Sequence, residues 1–305
     1  MPHLFKISLI ITVKNESCTI ASLLSSIHSQ TLAPDEVIFS DAGSTDDTVR
    51  IIESFSPLIK NLHVIKVIGK NRSVGRNTAI TKAKHEIIAV TDAGCVLKND
   101  WLAKITHPII KGEGDAVAGF YLTEDDSLLA RCAAPFLAVM PDALDAQSYL
   151  PSSRSIAFTK KAWELAGKYP PHANYCEDLL FAKNLEDKCE LIIQPKAIVY
   201  WQHFHGLVSF ARQIRHYAQG DVEANYTPHL LKIATVYARY LVFIFMPLLF
   251  MVYFVWPINK HYRYVRHPSA IIYLPLLQII TDLSIMSGSL SGFLVLFRSA
   301  KKARK

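Results

Sequence analysis

Apolar residues in the first 120 positions fall into short solid runs separated by amphipathic stretches. Ile7–Val13 is such a run, β-branched and aliphatic, of the kind found in a strand covered on both faces. Ile20, Leu23, Leu24 and Ile27 then recur at i, i+3, i+4 and i+7, one face of a helix. Glu36–Ser40 predicts a second strand. Ser44-Thr45-Asp46-Asp47 has the form of a capping box, opening a helix that runs to about Phe55. Leu62–Ile68 predicts a third strand, Ser73–Ala83 a helix and Glu86–Thr91 a fourth strand. Strands alternating with helices imply parallel pairing in an open, doubly wound α/β sheet. Ligands of such sheets bind at the carboxyl ends of the strands.

Between 115 and 220 the pattern is more mixed. Ala116–Leu122, Ile156–Thr159, Leu191–Gln194 and Ala197–Trp201 have strand character, and Lys161–Gly167 that of a helix. Leu207, Phe210, Ala211 and Ile214 line one face of a further helix whose other face carries Arg212, Arg215 and His216. That face suits either a membrane surface or solvent.

Past residue 226 the chain changes solvent. Tyr240–Trp256 is 17 residues without a charge, and extending it back to Ile233 admits only Arg239, placed where it could snorkel. Pro268–Phe297 is a second, 30-residue stretch whose only charge is Asp282; Pro275, Gly288 and Gly292 predict a broken or tilted helix. The expected organisation is a catalytic domain over 1–225 and a membrane region over 226–305. The latter forms a transmembrane helical hairpin from hydrophobic segments at about 233–256 and 268–297.

Charge sharpens this division. The 305 residues hold 33 Lys+Arg and 26 Asp+Glu, a formal +7, with a mean hydropathy of +0.19. Ten of the basic residues and one acid lie after residue 228, so the tail carries +9 and the remainder about −2. A body without excess positive charge argues against nucleic acid as a partner. Lys260, Arg263 and Arg266 lie between the two segments, and Arg298, Lys301, Lys302, Arg304 and Lys305 follow the second. Five against three favours a cytoplasmic C-terminus and, with two spans, a catalytic domain on the cytoplasmic side of the inner or plasma membrane. The five cysteines include no C-x-x-C pair, which argues against a disulfide framework or zinc cluster and fits a reducing compartment. No basic segment leads into an apolar one at the start, so no cleaved signal peptide is expected.

The loops after the strands hold the chemistry. Lys14-Asn15-Glu16 follows the first strand and Asp41-Ala42-Gly43-Ser44-Thr45-Asp46 the second. Arg72-Ser73-Val74-Gly75-Arg76-Asn77 opens the third helix, and Thr91-Asp92-Ala93-Gly94 ends the fourth strand. Together they bring carboxylates, guanidiniums and helix N-termini to one sheet edge, a set suited to a nucleotide and its phosphates. G-x-G-x-x-G is missing after the first strand, which disfavours a nicotinamide or flavin oxidoreductase. Asp41 ends a buried strand and Asp92 follows Ile-Ile-Ala-Val-Thr, so both are candidates for function over turn chemistry. Asp46 reads as a helix-start residue. Arg72, ahead of the helix, is a better candidate than Arg76, and Asp178 on its own reads as a helix cap.

These segments, in order, together with Ile10-Ile11-Thr12-Val13-Lys14-Asn15-Glu16 and Glu177-Asp178-Leu179-Leu180-Phe181, resemble the successive signatures of glycosyltransferase family 2 over roughly residues 5–220. The resemblance implies a GT-A fold and an inverting transfer from a nucleotide-diphosphate-sugar donor. It places Thr12, Glu16, Asp41 and Arg72 beside the donor and Asp92 at the first acid of a D-x-D motif, near ribose, diphosphate and metal. Asp178 becomes the general base that deprotonates an acceptor hydroxyl, and Glu177 its acceptor-side neighbour. The implied cofactor is a divalent cation, Mg²⁺ or Mn²⁺. Two departures stand out. The second acid of D-x-D is Gly94, and Trp201 occupies the place of a histidine that follows the last core strand in many such enzymes, leaving His203 or His205 as candidate ligands. Gln213-Ile214-Arg215-His216-Tyr217 loosely echoes the Q-x-x-R-W of processive synthases. The expected acceptor is a lipid-linked or saccharide molecule at the bilayer, a glycolipid or polysaccharide precursor in envelope biosynthesis. The alternatives are transfer onto a polyprenyl phosphate, and a nucleotide-binding pseudoenzyme or membrane scaffold.

Overall fold

The computed structural model describes residues 5–124, 127–145, 149–202, 204 and 206–303. The first half runs β1 (Ile7–Val13), α1 (Ile20–His28), β2 (Glu36–Asp41), α2 (Thr48–Ser54), β3 (Leu62–Lys66), α3 (Arg72–Lys82), β4 (Ile87–Asp92), β5 (Cys95–Leu97), α4 (Trp101–Lys111) and β6 (Ala116–Thr123). There follow α5 (Leu128–Leu137), β7 (Ile156–Thr159), α6 (Lys160–Leu165), α7 (Glu177–Lys188) and β8 (Leu191–Trp201). The chain ends in helices: α8 (Leu207–Glu223), α9 (Thr227–Phe245), α10 (Pro247–Tyr253), α11 (Val255–Val265) and α12 (Ala270–Ala303). Two compact units result. Met1–Leu122 with Leu144–Gln202 make one, and Thr123–Ala143 with His203–Lys305 the other. The expected boundary near 225 thus falls just past α8, inside the second unit.

In the first unit one sheet has the order β3-β2-β1-β4-β7-β6-β8-β5. Its first four strands are parallel, the part built by strand–helix–strand crossovers. The β4–β7, β6–β7 and β5–β8 pairings are antiparallel. Leu191–Trp201, expected as two strands, is one. The solid apolar runs bury on both faces as their composition demands; Leu9, Ile10, Ile11, Ile88, Ala89 and Val90 are inaccessible to solvent.

A second feature of the core positions the site. Ile10, Ile38, Ala79, Ile80, Val90, Phe158, Tyr169 and Phe181 belong to one apolar cluster. Phe181 of α7 stacks on Tyr169 with ring centroids 4.0 Å apart and meets Phe158 edge-on at 5.3 Å. Since residues four apart share a helix face, the anchor at Phe181 fixes Glu177 one turn earlier.

The second unit corrects two readings of the hydrophobic tail. The segment expected at 233–256 is not one helix: it breaks at Met246, because Pro247 has no N–H with which to continue α9. Arg239 does not snorkel; it reaches Oδ1 of the buried Asp282 at 2.8 Å, and Tyr253 and Gln278 also donate to that carboxylate, at 2.7 and 3.0 Å. Conversely, the stretch expected to be a broken or tilted helix is unbroken from Ala270 to Ala303. Pro275 sits in its second turn, where one bond is lost, and the glycines serve packing. A Cβ on Gly288 would lie 2.1 Å from the carbonyl oxygen of Arg215, and one on Gly292 2.8 Å from that of Gln219. Two glycines four apart thus let α12 lie directly against α8. Among the described residues one helix, over Ala270–Arg298, is long and apolar enough to cross a membrane.

Candidate active site

Strand register assembles the site. Thr12 pairs with Asp92 on one side and Ser40 on the other, and Val13 pairs with Asp41. Helix α3 lies over this corner at a distance set by Gly75, where a Cβ would stand 3.1 Å from Ser40 Oγ and 3.3 Å from Thr12 Cγ2. Asn71 caps the helix, its Oδ1 accepting from the Val74 N–H at 3.0 Å, while its amide donates to the carbonyls of Pro171 and Ala173.

The loops after β1 and β2 are laced together. Asn15 adopts a left-handed conformation (φ 55°), tolerable for an asparagine. Its N–H donates to Ser44 Oγ at 2.9 Å, and its Oδ1 accepts from the Thr45 N–H at 2.8 Å. The Glu16 N–H donates to Thr48 Oγ1 at 2.7 Å. Asp46 accepts from the hydroxyl and N–H of Thr48 and the N–H of Ser17. These bonds, the Thr48 hydroxyl first, hold its carboxyl down at about 2. Asp46 is the helix-start residue that its place in the sequence implies.

Between these loops and α3 lies a cleft of ≈ 320 Å³ lined by Thr12, Lys14, Glu16, Ser40, Lys70, Asn71, Arg72 and Asn174, among others. Three of the expected donor-side residues, Thr12, Glu16 and Arg72, therefore share one cavity. Asp41 is not on its wall. Its carboxylate is buried and closes the β2 loop, accepting from Ser44 Oγ at 2.6 Å, the Ser44 N–H at 3.0 Å and the Gly43 N–H at 3.2 Å.

Arg76 is the centre of the site. It is 1% exposed; Nη2 donates to Asp92 Oδ1 at 2.8 Å and Nη1 to Glu177 Oε1 at 2.9 Å. The two carboxylates, 85 residues apart in the chain, meet on one guanidinium, which also faces the Tyr169 ring at 5.2 Å. Burial opposes charge on Arg76, but Asp92 and Glu177 outweigh it and raise its already high pKa further. Arg72, by contrast, is 65% exposed and reaches only to 3.7 Å of Glu177. The two arginines divide the labour: Arg76 builds, and Arg72 faces the cleft.

Burial raises the pKa of Asp92, but Arg76, Arg154 and Arg72 together hold it below the usual carboxylate range. Asp178 moves the other way. Burial and the adjacent Glu177 charge push its pKa up, against the pull of Arg154 and Arg76. Its Oδ1 accepts from the Leu179 N–H at 3.0 Å. Two acids of one site thus have opposed environments, one favouring the carboxylate and the other the protonated form. Sequence reasoning ranked Arg76 below Arg72, named Lys14 only as part of its loop, and missed Ser40, Lys70, Asn174 and Arg154. Only the spacing of Arg76, one turn beyond Arg72, hinted that both lie on the same helix face.

A divalent cation fits here in a lean form. Asp92 supplies one carboxylate with Oδ1 already on Arg76, and the Cβ direction of Gly94, where a second acid would project, is open. No three His, Cys, Asp or Glu side chains converge among the described residues, and His203 and His205 lie outside those residues. Magnesium keeps waters and phosphate oxygens as ligands, so a cation shared between Asp92 and a diphosphate is compatible with this donor set.

Residues 8–136 match the model of Glycosyl transferase family 2. The O-antigen chain rhamnosyltransferase RfbN of Salmonella typhimurium is 25% identical over 226 residues, covering 65% of this chain and 67% of that protein. The glycosyltransferase AglE of Haloferax volcanii is 33% identical over 116 residues, 37% of this chain and 38% of its own length. The chain thus spans about two thirds of the first relative and well under half of the second. Among solved structures, TarS 1–349 of S. aureus aligns with a TM-score of 0.53 at 19% identity, covering 70% of this chain and 64% of that one. The mannosyltransferase PcManGT of Pyrobaculum calidifontis, solved with GDP-Man and Mn²⁺, aligns with a TM-score of 0.56 at 16% identity, covering 99% and 81%. At these identities the structural likeness speaks for the fold. Residues 8–136, which hold most of the cleft wall and the strand-end acids Asp41 and Asp92, thus carry the likeness to Glycosyl transferase family 2, on a GT-A-like α/β fold.

Proposed function

We propose that this protein transfers a sugar from a nucleotide-diphosphate-sugar donor to a hydroxyl of a membrane-associated acceptor, with inversion at the anomeric carbon. The observation that carries this reading is the Arg76 bridge, which ties the donor-side acid Asp92 to Glu177 and so fixes Asp178 within the same buried site. The cleft beside Thr12, Glu16 and Arg72 holds the nucleoside, and the diphosphate extends toward Asp92. Asp178, with its raised pKa, accepts the proton of the incoming hydroxyl as the new glycosidic bond forms. Asp92 would hold a divalent cation when one is bound, and that cation would supply Lewis-acid stabilisation of the departing diphosphate. The second unit binds the bilayer: Leu241, Ile244, Phe245, Leu248, Met251 and Val252 are exposed along α9 and α10, and α12 has the length and apolarity of a span. A cytoplasmic catalytic domain requires the α9–α10 stretch to enter the bilayer as a second segment beside α12, so that the basic C-terminus returns to the catalytic side.

The test is a panel of UDP, GDP and dTDP sugars offered to the purified full chain in membranes, read as released nucleoside diphosphate with and without EDTA. Release dependent on one donor and on added membrane lipid acceptor supports the reading. No release with any donor, from a protein that remains folded, overturns it.

A further inference from the structure

One cation of the first unit has no place in the scheme above. Arg154 lies in the Ser152-Ser153-Arg154-Ser155 segment ahead of β7, and the structure fixes that segment from several sides. Its carbonyl accepts from Thr91 Oγ1 at 2.8 Å, next to Asp92. Ser153 Oγ donates to the Tyr169 hydroxyl at 3.1 Å. Ser155 Oγ accepts from Trp101 Nε1 at 2.9 Å and donates to the Ala197 carbonyl at 3.1 Å. Backbone and flanking side chains thus leave the Arg154 side chain a defined starting point.

That side chain ends in an aromatic clamp. Cζ lies 3.8 Å from the centroid of the Trp201 ring and 5.2 Å from that of Tyr121, and the two rings meet edge to face at 5.8 Å and 85°. Nη1 donates to Ser152 Oγ at 3.1 Å. The clamp sits by the turn from β4 into β5: Trp201 pairs with Cys95, and the Gln202 N–H donates to the Gly94 carbonyl at 3.1 Å. A guanidinium stacked on an indole keeps its positive charge and its planar orientation. It stands beside the turn in which Gly94 leaves open the room that a second acid would fill. Its field reaches both acids of the site, drawing the pKa of Asp92 and of Asp178 downward.

We infer that Arg154 binds the donor's diphosphate, the aromatic clamp of Trp201 and Tyr121 presenting its guanidinium to the departing phosphate oxygen beside Asp92 and Gly94. This rests on the proposed transfer from a nucleotide-diphosphate-sugar. In that step the acceptor oxygen forms a bond to the anomeric carbon and its proton passes to Asp178. The bond from that carbon to the diphosphate oxygen breaks, and the electron pair stays on the oxygen as negative charge. Planar, two-pronged recognition of phosphate is what a guanidinium does and an ammonium does not. With one acid in place of two, the site leans on this fixed cation for part of the charge that metal ligation would carry.

The test is calorimetric binding of UDP, GDP, dTDP, CDP and ADP to the full chain in detergent with EDTA, each beside its monophosphate. Arg154→Gln and Arg154→Lys are compared with the natural chain, and circular dichroism verifies folding. For whichever nucleotide binds, Arg154→Gln weakens the diphosphate at least tenfold and the monophosphate less than threefold, and Arg154→Lys recovers only part of the loss. Equal weakening of both nucleotides, or none, overturns the inference and leaves the transferase reading standing. If Arg154→Gln does not fold, the same selectivity read on Arg154→Lys, or on Trp201→Leu, decides. Failure of the natural chain to bind any nucleoside diphosphate overturns the transferase reading itself, and this inference with it.

Discussion

Arg76 and Glu177 form a buried ion pair across 101 residues of chain, with Nη1 and Oε1 2.9 Å apart. Neither group has access to bulk water, so each depends on the other, and Asp92 shares the same guanidinium. Removing the cation leaves a buried carboxylate uncompensated. Arg76→Gln is expected to destabilise the first unit by about 3–5 kcal/mol. Arg72→Gln, at an exposed position, is expected to change stability by less than about 0.5 kcal/mol while weakening nucleotide binding. Urea unfolding of both variants, paired with nucleotide titration, checks this contrast; similar losses of stability would contradict it.

With Asp178 as the proposed base, its environment is expected to set the acid side of the pH profile. A base acts deprotonated, so turnover falls as pH drops through its pKa, and burial together with Glu177 has moved that pKa upward. The acid limb of kcat is expected above the usual carboxylate range. Glu177→Gln removes the neighbouring charge and shifts the limb to lower pH, whereas Arg154→Gln shifts it higher. Limbs that coincide in all three proteins would show that another group titrates.

Asp178→Asn keeps the size of the side chain and removes its basicity. A loss of about 10²–10⁴ in kcat with little change in donor KM is expected for a hydroxyl acceptor. Near-normal turnover would identify an acceptor that needs no deprotonation, such as a polyprenyl phosphate.

Phe181 acts at a distance from chemistry. Its ring lies between Tyr169 and Phe158, so Phe181→Ala is expected to cost about 3–5 kcal/mol. Because it releases the first turn of α7, kcat should drop at temperatures where the variant is still folded. Thermal melts and turnover measured on one sample separate the two effects.

The glycine contact between α12 and α8 leaves no room for a side chain. Gly288→Val is expected to separate the helices or unfold the second unit, since even the first carbon would clash with the Arg215 carbonyl. Its melting temperature in detergent should fall below that of Leu290→Val, an exposed control on the same helix. Equal melting temperatures would show that the helices do not pack this way.

Much of the parallel sheet and the cleft was legible because solid apolar runs and loop residues are local signals. Ile7–Val13 needs nothing beyond its own composition to read as a doubly covered strand; Glu16 and Arg72 follow from loop placement, and Thr12, inside that strand, came only with the family resemblance. Arg76 was under-read because burial of a charge depends on partners 16 and 101 residues away, which no window of sequence holds. Asp41 shows the converse. The end of a buried strand marked it as functional, yet its carboxylate is occupied by the three donors of its own loop. In the tail, hydropathy found the apolar stretches but not the break at Met246, nor the partnership of Arg239 with Asp282. Glycine reads as a helix breaker in isolation and as a contact surface once a second helix is present.

The interleaving of the two units has a consequence for any attempt to separate them. Thr123–Ala143 belongs to the second unit yet lies between stretches of the first, so the backbone passes between units three times, after Leu122, Ala143 and Gln202. A single protease cut or stop codon cannot release either intact. Isolating the first unit calls for removing 123–143 with a short bridge as well as ending the chain near Gln202.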